Sequence, residues 1–140
     1  MQKEIRKNGR IRNFKTGGQM IYTSYFGNIK KIKSINPEAN LISIARKSPT
    51  WYSGREYKKL APSWDILVEY KNNLPIGRKK VYSERFFNEI IAPLDLEINN
   101  IILELGNNPI LLCYEKPDQF CHRFLVSEWL NKKGFECKEF

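Results

Sequence analysis

Two short runs of apolar residues restrict what this chain can fold into more than any other feature of its sequence. Residues 41–45 read Leu-Ile-Ser-Ile-Ala, and residues 110–113 read Ile-Leu-Leu-Cys. Runs this short and nearly continuous are typical of strands that are buried on both faces, as in a parallel sheet with helices on each side. The sequence therefore predicts an α/β protein built around a central parallel sheet.

Further strands and helices are predicted around these two runs. Aromatic and β-branched residues predict a first strand over residues 19–26, and the closing segment "FECKEF" predicts an edge strand. Ser63 and Ser83 can each cap a helix, Pro93 should end or kink the second, and Gly106 should end a third. The segment "CHRFLVSEWLNKKGF" carries an apolar helical face. The order β, β, α, α, α, β, α, β predicts a small open, mostly parallel sheet flanked by helices, a Rossmann-like three-layer fold.

The charge of the chain is strongly positive, with 24 Lys and Arg against 15 Asp and Glu and a formal net charge of +9. Six of the basic residues lie within the first fifteen positions. We therefore predict a basic, flexible N-terminal tail over residues 1–18 and a single α/β domain over residues 19–140. The excess of positive charge favours a phosphate-containing small molecule or a nucleic acid as partner. No apolar run approaches the ~20 residues of a membrane-spanning helix, so no membrane partner is predicted.

The three cysteines, Cys113, Cys121 and Cys137, are an odd number in a chain without a recognisable signal peptide. This combination predicts a reduced, cytoplasmic protein. The Cys-x7-Cys-His spacing lacks the tight Cys-x2-Cys pairs of structural zinc sites, so no metal is predicted. Neither Gly-x-Gly-x-x-Gly nor a Gly-Lys-Ser/Thr loop is present, and no cofactor is predicted.

Reactive residues gather where the strand at residues 110–113 leads into the last helix. In open α/β sheets, ligands bind outside the carboxyl ends of the strands, where loops and helix N-termini converge. The amino end of a helix, together with a guanidinium group, suits the binding of phosphate. The same helix end stabilises a cysteine as the thiolate, and a neighbouring histidine can act as acid or base. The candidate catalytic residues are Glu115, Cys121 and His122, and the candidate anion-binding residues are Arg46, Lys116 and Arg123. The structural alternative is that Cys121 packs inward and Arg123 pairs with Glu115.

The loop "TWYSGREYKKLAPSW" mixes aromatic with basic residues, which suits stacking on bases together with neutralisation of phosphates. Its candidates for nucleic-acid contact, or for a lid over the same pocket, are Trp51, Tyr52, Arg55, Tyr57 and Lys58. In the alternative interpretation the aromatic side chains anchor the loop to the sheet while the basic ones stay in water.

Three segments in the same order resemble the domain of unknown function 488 family: "IYTSYFGN", "ISIARKSPTWYSGREYKKLAP" and "LLCYEKPDQFCHRFLVSEWL". The resemblance runs from about residue 20 to residue 133. It implies a compact α/β protein of bacterial, archaeal or phage type, with its site around the Glu-Lys pair at 115–116 and the Cys-His-Arg segment at 121–123. It implies no established reaction. Many members carry a cysteine where this chain has Ala45, so a role for that thiol does not carry over.

Two functions follow from these patterns. The first is an enzyme that acts on a nucleotide or a nucleic-acid component, with the basic residues holding anionic oxygens and Cys121, His122 or Glu115 doing the chemistry. The second is a non-catalytic module that senses a nucleotide or binds nucleic acid through the same basic groups and the aromatic loop.

Overall fold

The structure, a computed structural model, describes residues 19–140 and contains one five-stranded sheet in that range. The predicted basic tail lies outside the described residues. All neighbouring strands are parallel, in the spatial order β3-β2-β4-β1-β5. The strands are β1 (Ile21–Tyr25), β2 (Asn40–Ser43), β3 (Arg55–Glu56), β4 (Pro109–Cys113) and β5 (Cys137–Glu139). Every residue of the central strand β4 is buried, as its apolar run predicts.

Helices cover both faces of this sheet, which confirms the predicted three-layer α/β fold. The helices are α1 (Ile29–Ile35), α2 (Trp64–Asn72), α3 (Pro75–Phe86), α4 (Ala92–Leu94), α5 (Ile98–Leu105) and α6 (His122–Lys132). Helix α1 packs with Ile110 and Leu112 of β4 on one face, while Leu111 points into the larger core under α2, α3, α5 and α6. Within residues 19–140, no helix is long and apolar enough to cross a membrane.

The basic segment that follows β1 was not predicted to be helical, yet it forms α1. Ile32 of this helix is fully buried, whereas its lysines face the solvent. The helix links two parallel strands, β1 and β2, and so forms the β-α-β unit that the predicted element order lacked. With seven residues and one fully buried side chain, this helix offers too few apolar positions for its periodicity to show in the sequence.

The predicted helix start at Ser83 is wrong. Ser83 lies inside α3, which begins at Pro75 and has non-helical backbone angles at Ile76 and Gly77. The chain then continues through a π-helical turn at Phe87–Ile91 into α4, where Pro93 lies. The cap predicted at Ser63 is confirmed, because its side chain accepts the backbone N–H of Ile66 at 3.2 Å.

Two glycines with positive φ end helices, and their substitution by alanine separates backbone strain from steric contact. Gly106 has φ 84° after α5, and a Cβ there would lie 3.3 Å from Asn40 Nδ2. Gly134 has φ 91° after α6, and apart from its chain neighbours no atom of residues 19–140 lies within 4 Å of such a Cβ. We expect Gly134→Ala to cost about 1 kcal/mol of unfolding free energy and Gly106→Ala more, about 2 kcal/mol. Urea unfolding of both variants checks this, and equal losses would mean that the contact with Asn40 is inconsequential.

Candidate functional site

Most of the predicted site residues lie where β4 ends and α6 begins, at the carboxyl edge of the sheet. Residues 114–120 connect the two elements, and Cys121 occupies the N-cap position of α6 in extended conformation. The Cys121 side chain forms no cap hydrogen bond with this helix end. The α6 amino end therefore presents backbone N–H groups and its positive dipole end to the edge where the strands finish.

Arg123 is fully buried and committed to protein partners. Its Nε and Nη2 donate to the two carboxylate oxygens of Glu139 at 3.1 and 2.9 Å, and its Nη1 donates to the carbonyl oxygen of Glu115. Thr23 also donates to Glu139, at 2.6 Å. The guanidinium predicted to hold a ligand anion thus already holds an internal carboxylate, because a buried cation must be paired within the protein. The structural alternative named the right kind of bond but the wrong acid, since Arg123 meets only the backbone of Glu115.

His122 is buried, and its environment favours the neutral ring. Its Nε2 lies 2.7 Å from the carbonyl oxygen of Ile44, which can only accept a hydrogen bond. Nε2 therefore carries the proton, and Nδ1 is left with its lone pair 3.9 Å from Cys121 Sγ. Burial lowers the pKa of His122 to about 4 against the opposing effect of the Ile44 hydrogen bond, and the positive charge of Arg123 adds a smaller lowering contribution. A neutral imidazole beside a sulfur is suited to accept a thiol proton.

The cysteines differ from the predicted reduced state. Cys113 and Cys121 are joined as a disulfide that links the end of β4 to the start of α6, and Cys137 is free and buried. Cys113 Sγ also accepts a hydrogen bond from Arg123 Nη1 at 3.2 Å. Within the described part of the chain, the ligand atoms of Cys113, Cys121 and His122 lie within 4.8 Å of one another. The structure thus brings together donor atoms that their spacing in the sequence separated.

The remaining predicted residues at this edge are less enclosed. Glu115 and Lys116 are exposed on the loop before α6. Arg46 follows β2 and donates through Nε to the carbonyl oxygen of Pro62 at 2.9 Å, so it ties the carboxyl end of β2 to the start of α2. It also donates through Nη2 to the carbonyl oxygen of Lys58. Lys116 is thus a freer candidate for ligand contact than Arg46.

Three residues of the predicted lid have structural roles elsewhere. Arg55 donates to the carbonyl oxygens of Glu104 and Leu105 at 2.8 and 3.2 Å, and so caps the carboxyl end of α5, near the amino end of the sheet. Tyr57 bonds to the Glu104 carboxylate, and Tyr52 donates to the carbonyl oxygen of Arg55 at 2.7 Å. Burial raises the pKa of Tyr52. Of the five predicted residues, only Trp51 and Lys58 remain exposed without such bonds from their side chains among residues 19–140.

Trp51 belongs to an aromatic group that the sequence did not reveal. The buried ring of Phe26, just beyond β1, contacts Trp51 and Tyr114 edge-on, with centroids 6.3 and 5.1 Å apart. Trp51 remains 63% exposed and Tyr114 50% exposed. Tyr114 also donates to the carbonyl oxygen of Lys47 at 2.6 Å, which joins the β2 and β4 ends. We call Trp51, Tyr114 and Phe26 the aromatic platform.

Glu139 is the most important residue that sequence reasoning missed. The alternation of a strand places it on the same face as buried Cys137, two residues earlier. An acid on the inward face of a strand needs an internal cation, so the alternation of "CKE" was the available signal. A separate apolar groove of about 320 Å³ between α3 and α6 is lined by Phe86, Phe87 and Trp129 among others, and includes none of the predicted site residues.

Lowering the pH should destabilise the folded protein, because His122 is buried in its neutral form. The pKa of His122 is about 4 in the folded protein, and that of histidine in an unfolded chain is about 6.5. Because the unfolded chain binds the proton first, the free energy of unfolding should fall by about 3 kcal/mol between pH 7 and pH 4. Urea unfolding at stepped pH in the presence of a chelator measures this loss. His122→Gln keeps a donor for Ile44 but does not titrate, so a slope that persists in this variant would assign the loss to other groups.

Replacing Arg123 by Lys should test whether the guanidinium is structural. Lysine keeps the charge but loses the paired bonds to Glu139, so we expect a loss of about 3 kcal/mol in unfolding free energy. Arg85 is a matched control, because it makes similar bonds to Glu89 and Glu69 in a partly exposed position. Arg85→Lys should change the unfolding midpoint in urea little. Similar midpoints for both variants would remove the structural role assigned to Arg123.

Comparison with known proteins identifies the family of this chain. A family model described as "Active DUF488-N3 subclade" matches residues 31–134. No curated protein and no solved structure shows a significant match. The matched segment begins within α1 and includes the central strand β4 and the Cys-His-Arg start of α6, so it contains most of the site described above. Since the match covers well over half of the chain, the protein belongs to the domain of unknown function 488 family.

Proposed function

We propose that the protein is a cytoplasmic enzyme that binds a nucleotide, or a nucleotide unit of a nucleic acid, at the carboxyl edge of its sheet and acts on it. The observation that carries this proposal is the aromatic platform, which lies next to basic groups at the edge where open α/β sheets bind ligands. The family match supplies no substrate, so the argument depends on the chemistry of the site.

The platform suits a nucleobase. Trp51 and Tyr114 offer exposed ring surface, while their edge contacts with buried Phe26 limit the entropy lost when a base stacks on them. Stacking of a base on an aromatic side chain contributes about 1 to 3 kcal/mol and tolerates any base. The platform therefore favours a base-containing ligand over a simple phosphate or a phosphosugar.

Phosphate groups would be held by cations beside the platform. Lys47 and Lys116 are both exposed. The carbonyl oxygen of Lys47 accepts a hydrogen bond from the Tyr114 hydroxyl, and Lys116 follows Tyr114 by two residues in the chain. Neither forms a salt bridge with an acid among residues 19–140. The uncapped amino end of α6 adds N–H donors and positive dipole charge. Of the three predicted anion-binding residues, Lys116 keeps this role in the proposal, whereas the guanidinium of Arg123 is paired with Glu139.

Chemistry would depend on the reduced state of Cys121. Once the disulfide is opened, the Cys121 thiol can pass its proton to Nδ1 of His122 and become a nucleophile at the helix end. Glu115, exposed on the adjoining loop, can serve as a base toward a ligand on the platform. The reducing cytoplasm would keep the thiol available.

A non-catalytic nucleotide-sensing or nucleic-acid-binding module is the second candidate, and the disulfide favours it. With Cys113 and Cys121 bonded, neither of these sulfurs is a free thiol, yet the platform and the exposed lysines are present. Binding that is the same with and without a reductant, and that causes no chemical change in the ligand, would support this candidate.

Trp51 fluorescence gives a direct test of the proposed binding site. We expect mononucleotides or short oligonucleotides to quench tryptophan emission of the wild type, with Trp51→Ala weakening affinity roughly tenfold. Trp64→Ala is the matched control, since Trp64 is 57% exposed but lies in α2, outside the platform.

Lys116→Ala should also weaken binding, and more so at low salt, whereas Lys71→Ala at the exposed end of α2 should not. Binding that survives both Trp51→Ala and Lys116→Ala would overturn the proposed location. Chromatography of the nucleotide after incubation with the protein, with and without a reductant, shows whether the nucleotide is converted. Conversion supports the enzyme, and an unconverted nucleotide supports the binding module.

A further inference from the structure

A buried group of three soft donor atoms lies at the junction of β4 and α6. It consists of Cys113 Sγ, Cys121 Sγ and His122 Nδ1, with all three residues buried. Two of these donors come from the start of one helix and the third from the end of the neighbouring strand. Their spacing in the sequence predicted no metal, but ligation depends on the distance between donor atoms in space, which here is at most 4.8 Å.

The orientation of His122 is that of a metal ligand. Metal-bound histidines usually donate their other ring N–H to a carbonyl or a carboxylate, which fixes the tautomer and aims the free nitrogen. Nε2 of His122 makes such a bond to Ile44, which turns the Nδ1 lone pair toward Cys121. A histidine that served only to pack the core would not need its unprotonated nitrogen beside two sulfurs.

The backbone and the charges around the group also suit an ion. The Cα atoms of Cys113 and Cys121 are 7.2 Å apart, beyond the range of about 4.4 to 6.8 Å that is usual for disulfides. Two sulfurs that share a zinc ion lie about 3.8 Å apart, since each is bound at about 2.3 Å in tetrahedral geometry. Arg123 and Glu139 already neutralise each other, and two thiolates neutralise a divalent ion, so the loaded site adds no net buried charge.

We propose that Cys113, Cys121 and His122 form a tetrahedral zinc-type site in the reduced protein, and that the Cys113–Cys121 disulfide is its metal-free, oxidised form. Two thiolates and one imidazole are ligands that select Zn²⁺ over Mg²⁺ or Ca²⁺. Three protein ligands leave the fourth position open to water or to a ligand. Arg123, through its N–H bond to Cys113 Sγ, would stabilise that sulfur as a thiolate. The site needs neither the aromatic platform nor the lysines, so it does not depend on nucleotide binding, but it engages the Cys121 and His122 side chains that the proposed chemistry also uses.

Loading the disulfide form with a metal ion requires a two-electron reductant, and a phosphine can supply the electrons. The phosphine gives two electrons to the Cys113–Cys121 bond and takes an oxygen atom from water, which yields a phosphine oxide and two thiols. Binding of the ion then releases the two thiol protons to the solvent. An oxidant that accepts two electrons from the thiolates would form the disulfide again and release the ion.

The test uses Co²⁺ as a coloured substitute for Zn²⁺ on the full chain, reduced with a phosphine under argon and stripped by a chelator. We expect one equivalent of Co²⁺ to bind with the intense visible absorption of a tetrahedral thiolate site, and Zn²⁺ to displace it. Cys113→Ser, Cys121→Ser and His122→Gln should each weaken binding at least tenfold. Cys137→Ser is the matched control and should bind as the wild type does, since Cys137 lies outside the group.

A weak octahedral spectrum, or equal affinity in the Cys113→Ser and Cys137→Ser variants, would overturn the site. Circular dichroism identifies variants that fail to fold, and the wild type offers a second measurement that needs no variant. In the reduced wild type, Zn²⁺ should slow the alkylation of two of the three cysteine thiols, and mass spectrometry should identify these two as Cys113 and Cys121. Unchanged alkylation at these two positions would contradict the proposal, as would stoichiometric Co²⁺ binding by the oxidised disulfide form.

Discussion

The ion pair between Arg123 and Glu139 organises the carboxyl edge of the sheet in this protein. Its guanidinium is fully buried, and an unpaired charge there would cost several kcal/mol. The pair joins the start of α6 to the last strand, and Thr23 and the Glu115 carbonyl extend the same network to β1 and to the end of β4. Four elements that meet at the carboxyl edge are therefore joined by this ion pair and its hydrogen bonds, which also help to position the neighbouring side chains.

The reactive group is a direct consequence of that arrangement. Arg123 fixes the first turn of α6, so Cys121 and His122 immediately before it are held against the ends of β4 and β2. The bond from His122 to Ile44 then sets which ring nitrogen is free, and the bond from Arg123 to Cys113 supplies positive charge beside a sulfur. A cation that appeared to be a ligand contact in the sequence thus positions the groups able to do chemistry. The proposed nucleotide site and the proposed zinc site lie at the same edge, where the platform and the lysines would bind the nucleotide, while Cys121 and His122 are common to the proposed chemistry and to the zinc site.

The loop of aromatic and basic residues shows that the composition of a segment does not decide where its side chains lie in the fold. Its mixture of residues predicted a nucleic-acid surface, but the chain crosses from the carboxyl end of β2 back to the start of β3, so its residues are spread over the sheet. Arg55 is carried to the amino end, where it caps α5, while Trp51 remains near Phe26 and the carboxyl edge. Tyr114, which the sequence placed only in a reactive segment, joins Trp51 because β2 and β4 are neighbours.

The sequence by itself determined the parallel sheet, the site-bearing helix and two of its helix boundaries. Continuous apolar runs, the side-chain cap at Ser63 and the glycine at position 106 act through neighbouring residues, so local patterns are enough to reveal them. The family was also readable, because its motifs are local. Only the tertiary structure decided the partners of Arg123, His122 and Cys113. Those partners lie 16, 78 and 8 residues away along the chain, and which groups meet at such separations depends on strand order and helix packing.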